Sequence, residues 1–232
     1  MGHYKGQVSE ILLEPYQNAS ARVQLPLAAL PRPGQYLQAV CPTDELAAVP
    51  SSLFAAGHPV TLSPSEASLP VTGVPPDWGP GTPLQLRGPL GHGFQLPERA
   101  KRVALAALDG SPGRLLPLVD AALQQHAEVV VCCDTTVREQ PLAVEVQGLD
   151  ELTRVIRWAD YLAVDVSLEK VDELPAHLGT RIAKATAAQA LVLAPMPCGG
   201  LAQCGVCSLA TGNGPRLACE DGPVFELSQL LS

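Results

Sequence analysis

The first part of the chain alternates short apolar runs with breaks rich in proline and glycine, and it lacks a long helical period. Runs of this length and spacing are typical of strands in a small antiparallel barrel or sandwich. The runs are Val8 to Leu13, Ala21 to Leu25, Tyr36 to Val40, Pro59 to Leu62 and Pro83 to Leu86. We therefore predict an N-terminal antiparallel β-barrel or sandwich over residues 1–99.

The pattern changes after Lys101-Arg102, where longer apolar strands alternate with segments of helical spacing. Such alternation is typical of βαβ units, so we predict a central parallel α/β domain over residues 100–194 with helices on both faces of its sheet. Its predicted strands are Val103 to Leu108, Val129 to Cys133, Tyr161 to Val166 and Ala190 to Ala194. Its predicted helices are Arg114 to Gln125, Leu149 to Ala159, Leu168 to Leu178 and Ile182 to Ala188.

Charge and hydrophobicity limit the partners and the cellular location expected for this protein. The 232 residues include 15 Lys and Arg against 23 Asp and Glu, a formal net charge of -8, so a nucleic acid partner is not expected. The first residues lack the basic and then apolar profile of a signal peptide, which favours a cytoplasmic protein. The uncharged stretch from Ala185 to Pro215 is too broken by proline and glycine to satisfy its backbone in lipid, so we expect no membrane association.

Four of the seven cysteines lie in the last 35 residues, at the spacing C-x5-C-x2-C-x11-C. They are Cys198, Cys204, Cys207 and Cys219. In a reducing compartment such a cluster of thiols indicates a metal site. Three ligands in one loop and a distant fourth are typical of a plant-type [2Fe-2S] site, whereas an all-cysteine zinc ribbon usually has two C-x2-C pairs.

The glycines of this loop are a second feature that favours an iron–sulfur cluster over zinc. Gly199, Gly200 and Gly205 let the chain wrap closely and turn backbone N–H groups toward the sulfurs. Zinc and a structural or vestigial thiol cluster remain the alternatives. The other cysteines, Cys41, Cys132 and Cys133, are interpreted as small core residues.

The cysteine segment resembles the C-terminal [2Fe-2S] module of the electron-transfer subunit of class B dihydroorotate dehydrogenase. The match covers Cys198 to Cys207 and then Cys219-Glu-Asp-Gly-Pro-Val-Phe225, which is similar to the family's fourth-ligand motif. The resemblance implies that all four cysteines bind iron, in a small module over residues 195–232. One departure is the first spacer, with five residues where the family usually has four. The family's domain order, a flavin-binding barrel followed by a nucleotide-binding α/β domain and the cluster, agrees with the order predicted above.

The barrel carries a partial match to the family's flavin motif, Arg-Pro-x-Ser or Thr. The counterpart is His58-Pro59-Val60-Thr61, in which the Thr61 hydroxyl would bond the flavin and Pro59 would fix the turn. Histidine stands in place of the arginine, so a permanent bidentate donor to phosphate is missing. The segments Arg32 to Tyr36 and Gly88 to Phe94 also resemble barrel segments of the family. Whether the barrel binds FAD is therefore left open.

The nucleotide turn departs from the family. The turn after the first α/β strand reads Leu108-Asp-Gly-Ser-Pro-Gly-Arg114, where Asp109 would repel phosphate and Pro112 lacks a donor, although Arg114 could compensate. The family's Cys-Gly-Pro segment near the nicotinamide pocket is absent from the sequence. We therefore do not expect NAD(H) binding.

The residues and the resemblance together predict an electron-transfer component of an oxidoreductase complex, not a complete enzyme. A [2Fe-2S] cluster would pass electrons between flavin and a catalytic flavoprotein partner, which the resemblance identifies as a dihydroorotate dehydrogenase of pyrimidine biosynthesis. The chain would form a hetero-oligomer in which the partner covers the region from Leu201 to Val206. The alternatives are a self-contained NAD(P)H-dependent flavin and iron–sulfur reductase for another substrate, and a non-catalytic scaffold with a structural metal site.

Overall fold

The structure is a computed structural model that describes residues 2–12, 20–43, 49–135, 143–179 and 187–231. Its N-terminal strands form one antiparallel sheet. They are β1 (Gly2–Leu12), β2 (Ser20–Pro26), β3 (Tyr36–Val40), β4 (Ser51–Ala55), β5 (Val60–Ser63), β6 (Glu66–Thr72) and β7 (Pro83–Leu90). The order is β2-β1-β7-β3-β4-β6-β5, and pairing of β2 with β6 closes six of the strands into a barrel. This confirms the predicted barrel, with β5 paired to β6 outside the closed ring.

Alternation of side chains along β7 shows how the barrel separates its interior from its outer face. Leu84 and Leu86 are buried in the barrel core, whereas Gln85 is exposed and Arg87 is half-buried on the outside. The side chain of Arg87 therefore points toward whatever packs on the outer face.

The rest of the chain builds a second sheet, a separate two-stranded hairpin and short helices. The strands are β8 (Arg102–Ala107), β9 (Glu128–Cys132), β10 (Val144–Gln147), β11 (Tyr161–Ser167), β12 (Ala187–Leu193), β13 (Ser208–Thr211), β14 (Gly214–Leu217) and β15 (Val224–Glu226). The helices are α1 (Pro117–Gln124), α2 (Leu152–Trp158), α3 (Leu174–Leu178) and α4 (Leu227–Leu230). The sheet order is β10-β9-β8-β11-β12-β15, with parallel pairing everywhere except for the antiparallel edge strand β15. The predicted parallel α/β domain is confirmed.

The predicted helices from Leu149 and from Leu168 begin as 3-10 segments, over Leu149–Glu151 and Leu168–Glu173, and become α-helical at Leu152 and Leu174. The other two predicted helices need correction or fall outside the described residues. A single helix from Arg114 is wrong, because Pro112–Arg114 is a 3-10 turn and α1 begins only at Pro117, a residue suited to the first helical position. The predicted helix from Ile182 to Ala188 lies largely outside the described residues. Its last two residues, Ala187 and Ala188, already belong to β12, because they pair with Tyr161 and Leu162 of β11.

The cysteine segment packs directly on the α/β sheet. Strands β13 and β14 form a separate hairpin, and β15 then returns to pair with β12. Cys207, Cys219 and Phe225 share a core cluster with Leu191 of β12. The sheet therefore supports the segment that carries the four cysteines.

The barrel also contributes to this core. Tyr36 of β3 and Phe54 of β4 lie on the outer face of the barrel, and both are buried in the cluster formed by the α/β domain. Their ring centroids are 5.5 Å apart. No helix among the described residues is long and apolar enough to cross a membrane.

Candidate functional site

The four predicted cysteine ligands lie close together in the structure. Cys198 follows β12, Cys204 and Cys207 precede β13, and Cys219 follows β14. The sulfur atoms interact as two pairs, because the thiols of Cys198 and Cys204 are hydrogen-bonded and so are those of Cys207 and Cys219. Charge on Cys198 also acts on Cys219, so the two pairs are neighbours.

Burial differs strongly between the two pairs. Cys207 is 1% exposed and Cys219 is 5% exposed, whereas Cys204 lies at the surface and Cys198 is half-buried. One pair therefore faces the protein interior and the other faces solvent.

Backbone N–H groups of the loop point at the cysteine sulfurs. The N–H of Gln203, followed by those of Leu201 and Cys204, lowers the pKa of the Cys198 thiol to about 6 against an opposing effect of burial. Burial, with the neighbouring Cys207, raises the pKa of the Cys219 thiol to about 11, while the N–H of Ala202 acts in the opposite sense. At Cys198 the loop therefore stabilises negative charge on sulfur, as a thiolate ligand requires.

The backbone N–H groups of residues 201–204, which point at the cysteine sulfurs, form a cradle, and the conformation of the loop explains it. Four of its residues have positive φ, which turns successive N–H groups inward, as in the concave backbone sites that bind anions and iron–sulfur centres. They are Gly199 (68°), Gly200 (71°), Ala202 (57°) and Gly205 (70°). A Cβ on Gly200 would in addition meet the Tyr36 hydroxyl oxygen at 2.5 Å, so this position requires glycine for space as well as for φ.

The four cysteines offer a donor set of the kind that zinc sites and iron–sulfur clusters both use. Among the described residues, no group of three or more His, Cys, Asp or Glu side chains is arranged to hold a metal ion. A tetrahedral zinc site would need four ligands converging on one point, whereas a [2Fe-2S] cluster takes its four cysteines as two pairs, one on each iron. The paired cysteines and the N–H cradle fit the second arrangement.

Two barrel residues hold the cysteine loop from outside. The Tyr36 hydroxyl donates to the carbonyl oxygen of Cys219 at 3.2 Å, and Nη2 of Arg87 donates to the carbonyl oxygen of Gly199. Burial, with charge on Cys219, raises the pKa of Tyr36, so the hydroxyl stays protonated and remains a donor.

A cavity of about 370 Å³ opens beside this contact. It lies between the outer barrel face and the cysteine loop, and its lining includes Gln38, Pro50, Arg87, Cys198 and Leu201.

The predicted flavin residues lie elsewhere. Pro59, Val60 and Thr61 are exposed, in the turn before β5 and on β5, which pairs with β6. Nδ1 of His58 lies 2.5 Å from an Asp120 carboxylate oxygen of α1. None of the four lines the cavity beside Cys198. Their role in flavin binding stays a prediction.

Ion pairs occupy the carboxyl ends of the central strands, where an α/β sheet of this kind usually binds its ligand. Arg114 donates to both carboxylate oxygens of Asp165, at 2.8 and 3.1 Å, and the two side chains are 6% and 2% exposed. Arg114 is therefore held by a buried carboxylate and does not supply the phosphate contact considered from the sequence.

Asp109 is held in a similar way. It accepts the backbone N–H of Ser167 and lies 2.5 Å from Nζ of Lys170. Burial opposes its ionisation, but these donors outweigh burial and lower the pKa of Asp109.

Sequence reasoning missed the two barrel residues that hold the loop. Tyr36 lies in a segment that had been matched to a barrel turn, but nothing local indicates its contact with Cys219, which is 183 positions away. Arg87 is a charged position in the apolar alternation of β7, and its partner Gly199 is 112 positions away. An outward Arg next to the barrel-closing Gly88-Pro-Leu-Gly segment was the available signal.

Known structures share this fold at low sequence identity. A structure of an NADH-dependent reduced ferredoxin-NADP oxidoreductase, described for flavin-based electron bifurcation, matches with a TM-score of 0.68 and 14% identity over 97% of this chain and 88% of its own. The flavohem-like FAD/NAD-binding domain of nitric oxide dioxygenase from Vibrio cholerae O1 biovar El Tor matches with a TM-score of 0.55 and 15% identity, over 83% of this chain and 99% of that one. Ferredoxin-NADP+ reductase from Plasmodium falciparum matches with a TM-score of 0.52 and 9% identity, over 81% and 95%.

These likenesses show the fold alone: the chain shares the arrangement of an antiparallel barrel and an α/β sheet with these structures. No protein-family model matches the sequence, and no curated protein matches it. The narrower resemblance to a dihydroorotate dehydrogenase subunit stays a prediction.

Proposed function

We propose that this protein is an electron-transfer subunit that binds a [2Fe-2S] cluster through Cys198, Cys204, Cys207 and Cys219. The observation that carries the proposal is the arrangement of these cysteines as two adjacent pairs under one cradle of backbone N–H groups. Such a cluster supplies one-electron chemistry when bound. The chain's own part is to hold four thiolates, donate hydrogen bonds to their sulfurs and keep water away from the buried pair.

We infer that a partner protein docks on the exposed side of the cysteine loop. Leu201 is 53% exposed and Val206 is 47% exposed, and they flank the exposed Cys204. Large apolar side chains grouped at a surface loop are typical of an interaction site. The proposed partner is a catalytic flavoprotein, and the cysteine motif favours a dihydroorotate dehydrogenase of pyrimidine biosynthesis, in a hetero-oligomer with this chain.

We propose further that reducing equivalents do not enter through NAD(P)H bound to this chain. The buried pair of Arg114 with Asp165 and the pair of Asp109 with Lys170 occupy the edge of the sheet where a dinucleotide would bind. The electrons would instead pass between the cluster and a flavin. That flavin would be FAD on the barrel, as the fold suggests, or the flavin of the partner.

The second candidate function is a self-contained NAD(P)H-dependent flavin reductase. It is favoured by the likeness to the NADH-dependent oxidoreductase, which extends over 97% of this chain. The third candidate is a scaffold with a structural zinc on the same four cysteines, and it has less support because their arrangement as two pairs is typical of a [2Fe-2S] cluster.

Anaerobic purification followed by iron, sulfide, zinc and flavin analysis tests these functions together. The proposal expects two irons and two sulfides per chain and an electron paramagnetic resonance signal after reduction. Flavin that bleaches with NADH would establish the reductase instead, and one zinc per chain without iron would establish the scaffold.

Cysteine variants add a control. C207S should lose iron, whereas C41S should keep it, because Cys41 lies on the barrel and its sulfur contacts Thr43, a contact that serine can replace. Equal iron content in both variants would contradict the ligand assignment.

A further inference from the structure

Arg87 connects the outer face of the barrel to the cysteine loop. It lies on β7, half-buried, and its Nη2 donates to the carbonyl oxygen of Gly199, the residue that follows Cys198. A Cβ placed on Gly199 would lie 3.9 Å from the same nitrogen. The guanidinium is therefore packed against the start of the loop.

Arg87 also carries a positive charge beside the cysteine loop. Among the described residues that line the cavity beside Cys198, it has the one permanent charge, since a guanidinium stays protonated throughout the physiological range. The loop itself, from Pro195 to Pro215, contains no Asp, Glu, Lys, Arg or His. Among the residues that line the cavity with Cys198, the barrel therefore supplies the permanent charge, whereas Arg216, Glu220 and Asp221 lie beside Cys219 in the sequence.

We propose that Arg87 is a positioning residue that orders the cysteine loop and raises the reduction potential of the cluster. This inference rests on the proposed function. The first effect follows from the bond to Gly199, which holds the chain where Leu201 and Gln203 direct their N–H groups at Cys198. The second follows from Coulomb's law, because a cluster with four thiolates gains negative charge on reduction and a nearby fixed cation stabilises the reduced form more than the oxidised form.

Two substitutions separate charge from hydrogen bonding. R87Q removes the charge but keeps an N–H donor, and R87K keeps the charge on a compact ammonium. Each variant is purified as the full chain with its cluster, and the midpoint potential is measured by redox titration monitored by electron paramagnetic resonance. R154Q is the matched control, since Arg154 is an exposed arginine of α2 paired with Glu151.

We expect R87Q to lower the midpoint potential of the cluster by about 59 mV. For a one-electron couple, this shift corresponds to a tenfold smaller equilibrium constant for reduction. R87K should stay much closer to the wild type, and R154Q should equal it. An R87Q cluster with the wild-type potential would overturn the inference while leaving the cluster itself established. A wild-type chain without iron would instead refute the proposed function.

If R87Q loses the cluster, the result for R87K still decides the inference. If R87K keeps both the cluster and the wild-type potential, the charge of residue 87 is required and the inference stands. If R87K loses the cluster as well, the guanidinium geometry alone matters and the assignment of the potential to charge is wrong.

Discussion

The hydroxyl of Tyr36 donates a hydrogen bond to the carbonyl oxygen of Cys219, and both residues are buried. This bond joins the third strand of the barrel to the last of the four cysteines. It fixes the deeper cysteine pair relative to the barrel, so changes on β3 should affect the cysteine site.

Replacing Tyr36 by Phe should lower the free energy of unfolding by about 1–2 kcal/mol. The ring packing against Phe54 is kept, but the buried carbonyl of Cys219 loses its donor. Urea unfolding of the wild type and Y36F measures the difference. A variant as stable as the wild type would mean that this hydrogen bond makes no net contribution.

Gly200 should tolerate alanine less well than Gly205. Both have a φ near +70°, which costs an alanine about 1–2 kcal/mol. At Gly200 the added Cβ would also meet the Tyr36 hydroxyl at 2.5 Å, whereas at Gly205 no atom lies within 4 Å. Thermal unfolding of G200A and G205A therefore separates backbone strain from steric clash, and equal losses of stability would show that Tyr36 moves aside.

The contribution of Asp109 to stability should depend on pH. Its folded-state pKa is lowered, so the carboxylate stabilises the fold above the usual aspartate pKa, and this stabilisation is lost as the pH falls through the folded-state value. We expect D109N to cost about 1–2 kcal/mol at pH 7, because Ser167 and Lys170 lose a charged acceptor. Urea unfolding should show a large difference in the free energy of unfolding between the wild type and D109N at pH 7 and a small difference near pH 3. A difference that increased toward acidic pH would contradict this role of Asp109.

Breaking the buried pair of Arg114 and Asp165 should be strongly destabilising. D165N leaves the guanidinium without its buried countercharge, and we expect a loss of about 3–5 kcal/mol. The double variant R114M/D165L removes both charges and should recover much of that loss. Chemical denaturation of the three proteins tests the expectation, which fails if the double variant is less stable than D165N.

Local patterning predicted more of the fold than of the site. The barrel strands β1, β2, β3, β5 and β7 follow from short apolar runs, and the α/β order follows from the change of period after Arg102. Local patterning did not indicate β4, β6, β10 or the strands of the cysteine segment, β13, β14 and β15. Strand β4 opens with Ser51-Ser52 and is stabilised by pairing with β3 and β6, whereas β6 contains Pro70 and pairs with the distant β2.

The sequence by itself determined the order of the two folded units and the cysteine quartet, because hydrophobic period and ligand spacing are local properties of the chain. Only the tertiary structure decided that these cysteines form two pairs, that Tyr36 and Arg87 hold their loop, and that Arg114 forms an ion pair with Asp165. Each of these contacts joins residues at least 51 positions apart, except those within the cysteine segment. Such contacts depend on how strands are paired and how the barrel packs on the sheet, which no local pattern encodes.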